Sequence, residues 1–166
     1  MEVGLFIIRA TVGLTLAAHG SQKLFGAFGG GGLAGTGAWL DSVGFRPGRR
    51  SAYLAGGSEL LGGLLLALCL FTPLAAAMAI GVMAVAGVTH AEKGFFITRG
   101  GWEYTFVLGA VAAGIAFTGP GLLSLDAMVG IAASGLVPGF VALAVGIGGA
   151  AVQLALRDEA GARARG

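Results

Sequence analysis

The sequence predicts an all-α fold, a polytopic bundle of transmembrane helices, on three observations. Apolar residues make up 56% of the 166 positions and charged residues only 11%, where a soluble domain carries roughly 25% charged. Five apolar stretches with at most two charged residues each read as spans, against the ~20 residues that cross a bilayer core. Nine of the ten Lys and Arg residues then fall on one side of those spans. The net charge of +2 excludes a nucleic-acid binder built on a basic stripe, and the scarcity of charge excludes disorder and an ordinary soluble enzyme. A single cysteine, Cys69, excludes an intrachain disulfide and a Cys-rich metal site.

The first span covers about residues 3–22 and carries Arg9 inside it. A cleavable signal peptide is the competing reading, but it needs a basic stretch ahead of the apolar run, and Met1-Glu2 supplies none. The second span, about residues 52–70, contains Glu59. The third, about residues 73–91, begins at Pro73, whose missing N–H is harmless in a first helical turn. The short Phe71-Thr72 connection makes these two an antiparallel hairpin. The fourth span runs over about residues 104–118 and the fifth over about residues 138–156. Between them, Ser124 and Asp126 cap and charge a short helix over about residues 125–133, lying along the interface. Small residues recur at four-residue spacing in Ala77/Gly81, Ala110/Gly114 and Ala142/Gly146/Ala150. Such rows let helices approach closely within the bundle or, alternatively, across a homodimer.

Orientation follows from the basic residues. Lys23, Arg46, Arg49, Arg50, Lys93, Arg99, Arg157, Arg163 and Arg165 share one side, and the other side has neither Lys nor Arg. Positive charge is retained in the cytoplasm, so the N-terminus is expected outside and the C-terminus inside. The letters Gly30-Gly31-Gly32-Leu33-Ala34-Gly35 match a dinucleotide fingerprint, but that motif works only between a strand and a helix. Here it reads as a flexible loop. His19 and His90 have no paired ligand at helical spacing, so no metal or haem site is expected, and no intrinsic cofactor.

Ionisable residues inside a membrane cost ~2.5–3.5 kcal/mol each at the centre, so each asks for a reason. Lys23, Lys93 and Arg99 at span ends snorkel to headgroups, and Trp102 and Tyr104 fit an aromatic belt. Glu59 has no such excuse. Its partner is Arg9, His19, Lys23 or its own proton, while Arg9 has Asp126 as an alternative. His19 and Lys23 share a helix face and, with His90, Glu103 and Tyr104, gather toward the cytoplasmic half. A structural ion pair and a polar pocket that handles protons or a headgroup both account for this.

These residues resemble the DoxX family of small bacterial membrane proteins. The resemblance rests on Arg9, on His19-Gly20-x-x-Lys23-Leu24 and on Glu59-x-x-Gly62-Gly63. It continues through Gly101-Trp102-Glu103-Tyr104 and Thr118-Gly119-Pro120-Gly121 into Ser124-Leu125-Asp126. It implies a four-helix DoxX-like membrane core over residues 1–127. Residues 128–156 add an interfacial segment and a fifth C-terminal membrane helix, and residues 157–166 a basic cytoplasmic tail. It also implies a bacterial cytoplasmic membrane and a redox association, since relatives occur as the membrane subunit of a thiosulfate:quinone oxidoreductase and as a membrane partner of soluble antioxidant and sulfur-transfer enzymes.

The expected function is therefore a quinone-interacting subunit of a membrane oxidoreductase system, with electrons supplied by a partner. Glu59, His19, Lys23 and Glu103 are its candidate catalytic residues. Arg9, Tyr104, His90 and Trp102 are candidates for substrate binding, and Asp126 is structural. The alternatives are a non-catalytic scaffold docking soluble redox enzymes, and a binder or carrier of a small molecule or lipid.

Overall fold

The computed structural model describes residues 1–158. The basic tail expected over 157–166 lies, from residue 159 onward, outside the described residues. The described chain is helical with no strand: α1 (Glu2–Phe25), α2 (Gly32–Ser42), α3 (Gly48–Leu68), α4 (Thr72–His90), α5 (Glu103–Thr118), α6 (Leu125–Met128) and α7 (Leu136–Ala155). Among them α1, α3, α4 and α7 are long and apolar enough to cross a membrane. The 16 residues of α5 rise about 24 Å, so it is the short member of the bundle.

α1, α3, α4 and α5 close into a four-helix ring in which each packs on the next, and α7 lies outside against α4 and α5. Apolar side chains such as Ile7, Leu14, Leu61, Leu68, Val141 and Val152 are exposed on the outer faces of these helices. On a soluble protein such an apolar surface would be an association liability; on a membrane bundle it is the lipid-facing coat.

α1 and α3 approach each other closely, and glycine makes it possible. A Cβ on Gly13 would come within 2.5 Å of the Gly63 carbonyl oxygen, and one on Gly63 within 2.5 Å of the Gly13 oxygen. One heptad away, a Cβ on Gly20 would come within 2.6 Å of the Gly56 carbonyl oxygen, while one on Gly56 would meet the Leu24 side chain at 2.8 Å. These contacts fix the antiparallel register of α1 on α3. Elsewhere Gly146 of α7 packs on Ala77 and Gly81 of α4, so that small-residue row is spent inside the molecule.

Two sequence expectations need correction. The glycine-rich run at residues 30–35 is not a flexible loop: it enters α2, which tertiary contacts hold in place. The Thr36 hydroxyl donates to the Lys23 carbonyl at 3.2 Å, and Asp41 accepts the Gly48 N–H at 2.7 Å. The short helix expected over residues 125–133 stops at Met128, because Gly130 takes a left-handed φ of 74° and the chain turns.

The α3–α4 hairpin is built on two non-glycine residues in the left-handed region, Cys69 (φ 43°) and Phe71 (φ 50°). Such residues persist only where their surroundings over-determine them. Asp126, 1% exposed, does this. Its carboxylate accepts the Phe71 N–H (2.7 Å), the Thr72 N–H (2.8 Å) and the Thr72 hydroxyl (2.6 Å), while its own N–H donates to the Cys69 carbonyl at 2.9 Å.

Candidate functional site

α1 ends with Lys23 in its last turn, where a cation complements the helix dipole. One turn earlier lies His19, on the same face. The heptad glycines bring α3 so close that a Cβ on Gly56 would lie 3.1 Å from the Lys23 Cβ. The lysine stem therefore runs along bare α3 backbone, and its Nζ donates to Oε2 of Glu59. The carboxylate is 2% exposed and the lysine side chain 28%. A buried carboxylate is tolerable only when paired and hydrogen-bonded; Lys23 supplies that pairing and keeps contact with the surface.

Tyr104, in the first turn of α5, meets the same region from the other side. Its hydroxyl lies 2.9 Å from His19 Nε2, and the two rings stand edge to face with centroids 5.5 Å apart. The hydrogen bond joins α1 to α5, helices that otherwise pack sparingly against each other. Both rings are half-buried. A basic nitrogen, a phenol, a carboxylate and an ammonium thus come from three helices to one level of the bundle. Each can give or take a proton.

The remaining candidates lie elsewhere. His90, at the end of α4, stacks on Trp39 of α2 (centroids 6.0 Å) and its Nδ1 contacts the Ala86 carbonyl at 2.8 Å. Glu103 turns to the preceding loop and accepts the Ile97 N–H at 3.0 Å. Trp102 packs edge to face on Phe95 (4.9 Å) and Phe106 (5.6 Å). Arg9 sits ten residues before His19, about 15 Å up α1 at a 1.5 Å rise. It is 1% exposed and donates to the Leu123 carbonyl, with its guanidinium 5.2 Å from the Phe6 ring centroid. Among the expected partners of Glu59, then, the structure selects Lys23 and separates Arg9. Asp126 is occupied by the hairpin, and no ion pair links it to Arg9.

Sequence reasoning missed Trp39, which backs His90, and the glycine pairs that set the site's geometry. The signal for the latter was the seven-residue spacing shared by Gly13/Gly20 and Gly56/Gly63. Among the described residues, no three His, Cys, Asp or Glu side chains gather as a metal site. Among the described residues, neither the groove between α3, α4 and α7 nor the one between α4, α5 and α7 is lined by Glu59, Lys23, His19 or Tyr104.

A family model described as DoxX matches residues 4–92. The chain belongs to the DoxX family. No curated protein and no solved structure matches it. As a DoxX protein with apolar helices of spanning length, it is a small integral membrane protein. The matched segment carries Arg9, His19, Lys23, Glu59 and His90. The DoxX model ends before Glu103, Tyr104 and Asp126, so the tyrosine that completes the polar group lies beyond it.

Proposed function

We propose that this DoxX protein is a quinone-interacting subunit of a membrane oxidoreductase system, with the quinone head at the seam between α1 and α5. The observation that carries the reading is the presence of two polar pairs, Lys23–Glu59 and His19–Tyr104, at one level of the bundle. Quinone reduction takes two electrons and two protons to give the quinol. His19 and Tyr104 hydrogen-bond the ring carbonyls, and Glu59 passes protons inward from the surface that Lys23 reaches. The electrons come from a soluble redox partner. The apolar faces flanking the seam accept the isoprenoid tail.

In this reading the N-terminus lies outside a bacterial cytoplasmic membrane, and the end of α1 bearing Lys23 lies inside with Arg46, Lys93 and Arg157. That placement follows the retention of positive charge in the cytoplasm.

The test is quinone-dependent turnover in membranes from cells expressing the chain. Glu59→Gln keeps the size and removes the proton, so turnover falls by about a hundredfold, as for loss of a proton-transfer group, while the protein remains abundant. Full turnover in that variant would overturn the proposal. A chain that captures soluble redox enzymes from mild detergent yet binds no quinone would instead be a scaffold.

A further inference from the structure

A groove of about 300 Å3 opens between α3, α4 and α7, closed at one end by Phe45 and Leu40. Along α4 its lining runs from Leu74 to Val85, eleven residues or about 16 Å of helix. The walls are apolar, with Leu54, Met78 and Val145 among them. Polar side chains enter halfway along, at Ser58, and at the closed end, at Ser51 and Gln153.

That closed end is rimmed by positive charge. Arg50 precedes the lining residue Leu54 by four positions and so shares its face one turn further out; it is exposed. Arg157 follows the lining residue Gln153 by four. Its guanidinium carbon lies 5.4 Å from the Phe45 ring centroid, and its Nε donates to the Val43 carbonyl at 2.8 Å. Arg46 adjoins Phe45 and faces Asp158 at 3.6 Å. Arg49 is exposed beside them. Among the described residues, four arginines stand against two acids, Asp41 and Asp158, and Asp41 already accepts the Gly48 N–H.

An apolar channel of this length ending in a net positive rim is complementary to one class of molecule. We infer that the groove binds an anionic diacyl phospholipid. An acyl chain lies between α3, α4 and α7, the phosphate meets Arg50 and its neighbours, and Ser51 and Gln153 face the ester region. Basic pockets between membrane helices favour acidic headgroups for this reason. The site is independent of the proposed quinone seam, because Glu59 and Gly56 face α1 from the opposite side of α3.

The test is native mass spectrometry of the full chain in detergent, titrated with dioleoyl phosphatidylglycerol and, separately, dioleoyl phosphatidylcholine. The wild type retains one phosphatidylglycerol with severalfold preference. Arg50→Gln lowers that preference by about fivefold, the effect of one basic residue at an anionic lipid surface. Gly149 lines the groove, and a Cβ there meets nothing within 4 Å, so Gly149→Phe starts from open space, fills the channel and removes both lipids. Equal retention of the two lipids by the wild type, or undiminished phosphatidylglycerol in Gly149→Phe, overturns the inference. A wild-type dimer that Gly149→Phe dissociates also overturns it, by assigning the groove to a second copy.

Discussion

Lys23 in the last turn of α1 donates to Glu59 in the middle of α3, so a carboxylate shut away from the surface is held by an ammonium that reaches it. The two members of the pair are unequal. Removing the lysine strands a buried charge, whereas removing the acid frees a side chain that snorkels outward.

Lys23→Met is therefore the more damaging change. Breaking a fully buried pair costs ~3–5 kcal/mol; with the lysine 28% exposed and screened accordingly, the expected loss is about 2 kcal/mol. Glu59→Gln costs less, and adding it to Lys23→Met restores stability. Thermal unfolding of the purified variants in detergent, followed by circular dichroism, measures this. An additive double variant would mean the two groups are not coupled.

Gly63→Leu forces α1 and α3 apart, since even a Cβ there meets the Gly13 oxygen at 2.5 Å. Overpacking of this kind costs about 1–3 kcal/mol or more. It also pulls Lys23 from Glu59, so the unfolding midpoint falls. Gly148→Ala, with nothing within 4 Å, leaves it unchanged. Equal midpoints for the two variants would contradict the register described.

Much of this arrangement was legible in the sequence, and the remainder failed for identifiable reasons. Apolar runs marked the spans because a bilayer tolerates little else. α2 escaped because glycines at 30, 31, 32, 35 and 37 weaken a helix locally, and the contacts that hold it, Thr36 to Lys23 and Asp41 to Gly48, join distant segments. Glu59 had several possible partners because facing depends on helix register. The glycines at 13, 20, 56 and 63 set that register, yet in a chain with 33 glycines they did not stand out.

Asp126→Ala releases the α3–α4 hairpin. Three donors lose a charged acceptor, each such bond being worth about 1.5–3 kcal/mol, and two left-handed residues lose their restraint. Hydrogen exchange at Phe71 and Thr72 rises by about tenfold or more, the ratio for 1.4 kcal/mol of protection lost. Unchanged protection there would show that the hairpin holds itself.

Orientation is tested by cysteine labelling. Met128 is exposed on the end that carries no Lys or Arg, and Lys93 on the basic end; native Cys69 is buried. A membrane-impermeant maleimide is expected to label Met128→Cys in intact cells and Lys93→Cys only after permeabilisation. The reverse pattern would place the basic loops outside.

The central claim is that a quinone head occupies the seam joined by His19 and Tyr104, next to the Lys23–Glu59 pair. Photolabelling with an azidoquinone, mapped by peptide mass spectrometry, addresses it most directly. The account predicts label on α1 around His19 and on the first turns of α5 around Tyr104, lost when excess unmodified quinone competes. Label confined to the surface grooves against α4, or insensitive to competition, would contradict it.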